Sequence, residues 1–585
     1  MSAAAPARAD AWPHSQWNDA PASESAAALL SERLGLSRAA ARILVARGHA
    51  DPDSAERFLN PRLSACMLPE KLPGVAKAAE IIGAHVALGH EIVVFGDFDA
   101  DGMTAATIMR TALMKLCAKA SVFIPDRIHE GYGFTEAALS RCLADNPGAK
   151  LIVTVDCGIS HAPACDKAVA AGVEVIVTDH HEVGLQVPKS ASVLVNPCLP
   201  GTPDPLRHLC GAGVAFKLAH ELLRRYLPPE EGRAAMRPLL VLAAVGTVGD
   251  LVPLVGENRI IASCGLSRLN GSSASELVGL RALCDAARLR GTIDSGALAF
   301  VLVPRINAAG RVGNPRVALD LLSARDMAGA IPCARQLGHF NDIRREEESA
   351  ALRTAESTVK EETAAGVPCI VVYNGAWHPG VVGLVASRLS SKTHLPTVVL
   401  TNDDEPGLLR GSARCPEIPG LDLTRLLEKC ASLLHSFGGH RAAAGLTLER
   451  GSLPAFREAF SRVCAEAESG LDMRPESRVE AWISPGEADS RLEADLARIG
   501  PFGTLNPQPL LGMRRLTLAA SPSRFGRTSV NWRLTFTETP IPGVVFGRAD
   551  MPFAIGERVD AVFHFSRDNF GAPQFAIRDM RHSSP

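Results

Sequence analysis

The run Val94–Ala105, VFGDFDADGMTA, sets Asp97, Asp99 and Asp101 at alternate positions directly after an apolar stretch. Two more apolar stretches end in the same way, one in Asp156 of VTVDCG and one in Asp179, His180 and His181 of IVTDHH, while Asp250 closes the run VGTVGDLVPL. Carboxylates gathered that closely raise one another's pKa, so they stay ionised together only around a cation. Aspartate oxygens with one or two imidazoles and no thiolate suit Mg2+ or Mn2+ better than structural zinc. Two divalent ions would nearly neutralise Asp97, Asp99, Asp101, Asp156 and Asp250 and leave the site ready for an anionic phosphate. Such a pair, about 3.5 to 4 Å apart, activates a water and stabilises both the attacking and the leaving oxygens of an in-line displacement at phosphorus. A single D-x-D is more often a turn or a cap, and a single HH more often surface or core; the recurrence at successive strand ends is the signal. Gly102 fits the same picture, because a small residue opening a helix lets backbone N–H groups approach an anion.

The elements that must position these residues are legible from hydrophobic periodicity. EIVVFGD, SVFIPD, LIVTVDCG, VEVIVTDHH and ASVLVNP are apolar on both faces, with helical material between most of them. In DGMTAATIMRTALMKLCAKA, for example, Ile108, Ala112 and Leu116 run beside Met109, Leu113 and Cys117. That pattern predicts an α/β domain with a parallel sheet, whose ligands bind outside the carboxyl ends of the strands. The spacing predicts a helix across the charged stretch 339–365, roughly 40 Å long at 1.5 Å per residue, either linking two lobes across a groove or lying on a surface. A second α/β pattern follows over 366–466. From 478 to 585 short β runs broken by Gly and Pro predict a small barrel or sandwich. There GMRRLTLAASPSRFGRTSVNWR holds five arginines and no acid, interleaved with Phe525 and Trp532. Such a stripe serves single-strand binding or is a solvated barrel face. Ahead of these regions, 25–70 predicts a small helical segment and 1–24 a disordered tail.

At 585 residues the chain is long enough for roughly three or four domains. Its longest apolar run, from Leu239, is shorter than the ~20 residues of a membrane span, and the first 24 residues hold no continuous apolar core of a signal peptide. The expectation is a soluble cytoplasmic protein. The 14 cysteines are scattered without a C-x-x-C pair, as small core residues of a reducing compartment are. A net charge of -2 gives no whole-chain support to nucleic-acid binding, so that case rests on local stretches.

Taken together, DFDADGMTA, PDRIHEGYGF, VDCGIS, TDHH, LCGAGVAFKLA, VGTVGDLVPL and PRINAAGR, followed by WHPGVVGLVASRL, GSAR, FGGHRAAAG and GPFGTLNPQP, occur in this order. In them the chain resembles the DHH phosphoesterase superfamily, in its branch of single-strand-specific exonucleases. The resemblance implies a DHH domain (71–335), a linking helix (336–365), a DHHA1 lobe (366–466) and a C-terminal OB-fold (478–585). It implies two divalent cations, Mn2+ or Mg2+, held by Asp97, Asp99, Asp101, Asp156, His180 and Asp250. Asp101, Asp156 and His181 would be catalytic, with His181 contacting the scissile phosphate or assisting proton transfer. Arg305, Arg311, His378, Ser412, Arg414 and His440 would touch DNA phosphates, the DHHA1 lobe holding the strand end across the groove. Arg524, Arg527 and Trp532 would bind the strand on the OB-fold.

The implied activity is 5'-to-3' removal of mononucleotides from single-stranded DNA, in repair and recombination. Implied partners are single-strand-binding protein and a RecQ-type helicase, with the chain itself a monomer and no membrane involved. Two other readings are a DHH-type hydrolase of small phosphoesters or oligonucleotides and an inactive scaffold; the third domain argues against the first and the complete ligand set against the second. Three positions depart from the pattern: Leu505 and Gly249 replace the expected glycine and alanine, and Cys415 replaces serine after GSAR. Leu505 puts in doubt the shape of its turn.

Overall fold

The computed structural model describes residues 15–584 except 128–129, 185–186, 272–276, 365, 470, 472–475, 527–529, 549 and 569, and the side chains of 362–364. It divides into two compact units: 60–344 with 500–507, and the residues up to 59 with 345–499 and 508–585.

The first unit is built on five parallel strands, Glu91–Gly96, Lys119–Phe123, Ala149–Val155, Glu174–Thr178 and Val193–Val195. Their spatial order is second, first, third, fourth, fifth. The uninterrupted apolar runs have a direct cause. Along the first strand Ile92 and Val94 enter one core, with helices Ala100–Lys115, Gly211–Tyr226 and Pro229–Gly249, while Val93 and Phe95 enter another, with helices Glu136–Asp145 and Ala162–Ala170. Both faces of this strand are dry, so its interior positions are apolar until the strand ends. The chain leaves the first strand to one side and returns for the third on the other, which opens a crevice between their carboxyl ends. Asp97 and Asp156 stand at those two ends.

In the second unit the strand Gln16–Asp19 pairs in parallel with Glu476–Val479. The expectation of a disordered tail over 1–24 is therefore corrected for these residues, and 1–14 lie outside the described residues. The strand is held by polar and aromatic contacts rather than by an apolar run. The Trp17 indole donates to the buried Asp579 carboxylate at 3.0 Å, and Arg581 stacks 4.2 Å from its ring. Helices Glu24–Leu34, Arg38–Ala46 and Pro52–Leu59 follow, and the boundary between units comes after Leu59, inside the segment read from sequence as 25–70.

The linking helix runs Met327–Ala364, beginning nine residues before the expected 336. Asp326 starts it by accepting the Gly329 N–H at 2.9 Å, and Pro332 falls early enough to cost only one helical hydrogen bond. Within the DHHA1 region five strands form a mixed sheet, in the order Ser436–His440, Ala443–Glu449, Leu408–Arg414, Thr397–Asn402, Ile370–Tyr373. The C-terminal region forms a seven-stranded sheet from Ala481 to His582, as the short β runs require. One motif is placed differently from its reading in sequence: Gly500–Pro507 belongs to the first unit, not to the β domain around it.

Candidate metal centre and nucleic-acid contacts

The strand Glu91–Gly96 delivers Asp97, whose side chain accepts the Phe98 N–H at 2.8 Å. Asp99 caps the next helix, accepting from Asp101 N at 2.9 Å and Gly102 N at 3.1 Å. This is an ordinary capping interaction, and it turns the following aspartate inward. Asp101 is 1% exposed, and its two oxygens take N–H groups of Gly211 at 2.6 Å and Ala212 at 2.9 Å, the start of the helix Gly211–Tyr226. Asp156 stands at a backbone φ of +62°, a left-handed turn that bends the chain away from its strand. Asp250 is the C-cap of the helix Pro229–Gly249.

These residues meet around His180. Its Nε2 lies 3.0 Å from Asp156 Oδ1, 3.6 Å from Asp250 Oδ2 and 3.7 Å from Asp101 Oδ2. Two groups could each hold a divalent ion, Asp97, Asp99 and Asp156, and Asp101, His180 and Asp250; within each, one donor atom per residue lies within 4.8 Å of the others. A third group joins Asp156 and His180 to His181. Burial, ahead of the neighbouring aspartates, pushes the Asp97 carboxyl up to about 8, and it raises Asp99, Asp156 and Asp250 as well. Burial also lowers His180, leaving it a neutral donor. Asp156 Oδ1 and His180 Nε2 are buried and 3.0 Å apart, yet neither makes a hydrogen bond in the described structure. Two buried polar atoms side by side without a hydrogen bond are what a cation satisfies. The residues present therefore fit a divalent metal centre.

The first residue of TDHH plays a different part. Asp179 accepts from His180 N, His181 N, His181 Nδ1 and Ile159 N at 2.7 to 3.1 Å. Burial would raise it, but the His181 hydrogen bond and both imidazoles hold it down at about 2. In turn, and against the pull of burial, Asp179 and the surrounding carboxylates raise His181 to about 9. The other ring nitrogen of His181 shares a 2.9 Å hydrogen bond with the Tyr132 hydroxyl.

Sequence reasoning passed over Tyr132, although it stands in the quoted EGYGF. It also missed Asn307, whose Oδ1 accepts Ala100 N at 2.7 Å and ties the PRINAAGR helix to the aspartate loop. Thr504 donates to Leu251 O at 2.6 Å, so GPFGTLNP braces the residue after Asp250. A Cβ on Gly211 would sit 2.5 Å from Asp156 Cβ, and one on Gly246 2.5 Å from Asp101 Oδ1.

Family models match the DHH family, N-terminal domain, over residues 91–247, the DHHA1 domain over 366–466 and the RecJ OB domain over 479–579. The single-stranded-DNA-specific exonuclease RecJ of Escherichia coli (strain K12) is 34% identical over 488 residues, covering 80% of this chain and 82% of that protein. The chain belongs to the RecJ family. The Bacillus subtilis (strain 168) RecJ is 34% identical over 557 residues, 94% of this chain and 69% of that one. A crystal structure of RecJ in complex with Mn2+ from Thermus thermophilus matches with a TM-score of 0.81 at 30% identity, over 98% of this chain and 80% of that chain. The fold expected from sequence, two α/β lobes joined by a long helix and followed by an OB-fold, is the RecJ architecture.

The expected DNA contacts fall in three places. Arg305 and Arg311 lie on the helix Val303–Val312, whose Gly310 packs against Phe98 of the aspartate loop. Ser412, Arg414 and His440 share one face of the mixed sheet, because Arg414 pairs with Ala443, which pairs with His440, and Ser412 pairs with Gly445, which pairs with Gly438. Nothing stands over Gly438 or Gly445, which leaves a shallow trough beside those side chains. Gly383, near the start of the helix Val382–Thr393, approaches Ser412 and Arg414, while the half-buried His378 accepts Gly380 N at 3.0 Å. On the OB sheet Arg524 stacks 4.7 Å from the Trp532 ring, and Arg527 lies outside the described residues.

Proposed function

We propose that this chain hydrolyses the phosphodiester bonds of single-stranded DNA with Mn2+ or Mg2+, working from the 5' end and releasing mononucleotides. The observation that carries the reading is the convergence of five aspartates and His180 at the switch point of a parallel sheet. One divalent ion belongs to Asp97, Asp99 and Asp156, and a second to Asp101, His180 and Asp250. When bound there, the ions supply an activated water and charge stabilisation at phosphorus. Asp101 and Asp156 are fixed by the Gly211 helix start and by the left-handed turn, so the donor set is organised before substrate arrives. His181, aimed by Asp179 and held toward its protonated form by that carboxylate, neutralises a scissile phosphate oxygen or passes its proton to the leaving oxygen.

Arg305 and Arg311, with His378, Ser412, Arg414 and His440, bind phosphates of the strand, and Arg524, Arg527 and Trp532 bind it by charge and stacking. The protein acts as a cytoplasmic monomer in repair and recombination, on strands opened by a RecQ-type helicase and covered by single-strand-binding protein. Among the described residues no helix is long and apolar enough to cross a membrane.

The test is incubation of 5'-labelled and 3'-labelled single strands and duplexes with the purified protein, Mn2+ or Mg2+, and controls with EDTA and Asp101→Asn. The 5' label is expected to leave first as a mononucleotide. Degradation that persists in EDTA, survives Asp101→Asn or prefers duplex overturns the proposal.

A further inference from the structure

Away from the metal centre, helices Gly211–Tyr226 and Pro229–Gly249 border a half-open cavity of about 640 Å3, at which Arg233 and Arg237 are exposed to solvent. Small-molecule sites span roughly 300 to 1,000 Å3. Phe216 of the first helix and Met236 and Leu240, one turn apart on the second, line it together with Leu63 and Cys66. Burial, ahead of the Glu257 charge, pushes the Cys66 thiol up to about 12, so it stays protonated and serves as lining. Four arginines, Arg224, Arg233, Arg237 and Arg268, also line it, together with Lys217, which is paired with Glu257, and no carboxylate lines it. Arg224 pairs with Glu70 and Glu221, and Arg233 with Glu230. Arg237 and Arg268 have no carboxylate partner among the described residues.

We propose that this cavity binds an acyl-chain carboxylate, the chain among Phe216, Met236 and Leu240 and the carboxylate on Arg237 and Arg268. An apolar cavity with unpaired guanidinium groups asks for an apolar body with one anionic head. The chemistry of the wall selects an acyl chain over a peptide. The exposed lining is mostly apolar, so the buried amides of a peptide would find few hydrogen-bond partners there. The two helices carry the consequence to the metal centre. One begins at Gly211 and Ala212, which hold Asp101, and the other ends at Asp250. A ligand wedged between them is thereby linked to the divalent ion, each altering the other's affinity by the same factor.

The proposal concerns binding, so its test stands whether or not the nuclease reading holds. Decanoate, decanol, inorganic phosphate and a short peptide ending in Phe are titrated calorimetrically into the whole protein, with and without Mn2+. Decanoate is expected to bind with one site, at least about tenfold tighter than the other three, and with an affinity that shifts on adding Mn2+. Arg237→Ala with Arg268→Ala is expected to weaken it about tenfold or more while decanol is unchanged. Met236→Trp, which fills the cavity, is expected to abolish both, with circular dichroism of each variant reporting that it is folded. Decanoate binding that is absent, or unaltered in the folded variants, overturns the site; tighter binding of the peptide overturns the acyl assignment; an affinity indifferent to Mn2+ overturns the linkage.

Discussion

Adding one methyl group at Gly211 should disable the metal centre without removing any ligand. The Gly211 N–H holds Asp101 Oδ2 at 2.6 Å, and a Cβ at this residue would lie 2.5 Å from Asp156 Cβ and 2.6 Å from its Cγ and Oδ1. Carbon atoms rest about 3.5 to 4.0 Å apart, so one side must move by roughly 1 Å. Little can yield: Asp156 is held at a φ of +62°, and the next residue, Ala212, would itself be 2.5 Å from a Cβ on Gly246 behind it. A displacement of ~1 Å among catalytic groups costs on the order of 100-fold, or about 2.7 kcal/mol of transition-state stabilisation. Gly211→Ala is therefore expected to lower kcat about 100-fold on end-labelled single-stranded DNA at saturating Mn2+, with strand binding in EDTA unchanged. Gly213→Ala, two residues on, is the control, since its Cβ meets the Leu209 methyl at 3.1 Å, a side chain that can rotate away. It should stay within about threefold of the parent. A Gly211→Ala protein with near-parental kcat and the same Tm would refute the crowding argument.

Further outcomes follow from the same geometry. Without metal, Asp97 carries a folded pKa of about 8 against 3.8 ordinarily; an acid raised on folding costs stability as pH climbs from the lower value to the higher. The Tm gain on adding Mn2+ should therefore be larger near pH 8 than near pH 5, and a pH-independent gain would argue against carboxylate ligation. Asp179→Asn removes the carboxylate that favours protonated His181, so the alkaline limb of the kcat/KM profile should move to lower pH; an unmoved limb would take His181 out of the chemistry. Trp532→Ala should weaken single-strand binding by about 1 to 3 kcal/mol, seen as a higher KM with kcat nearly unchanged. Leu505 is 65% exposed and sits at a φ of +57°. Leu505→Gly should thus leave stability equal or raise it by up to about 1 kcal/mol, and a clear drop in Tm would contradict backbone strain at that turn.

The departure at Leu505 shows how sequence and structure divide the account. A glycine was expected there from resemblance alone; the left-handed backbone supplies the reason, because only glycine adopts it without cost. The disordered reading of 16–19 failed for the opposite reason. A strand held by one indole, a buried carboxylate and a stacked arginine carries no periodic apolar signal, and its partners lie more than 450 residues away.

The local sequence by itself determined the parallel strands, since two dry faces demand unbroken apolar runs, and it placed Asp97, Asp156 and Asp179 at their ends. It also determined that so many carboxylates need a cation. Only the tertiary structure decided what each carboxylate does. Asp179 resembles the others in sequence, yet four hydrogen bonds turn it into the support of His181, while Asp250 reaches His180 from the end of a helix distant in the chain. A side chain's neighbours across the fold set its solvation and its charge partners, and spacing along the chain carries neither.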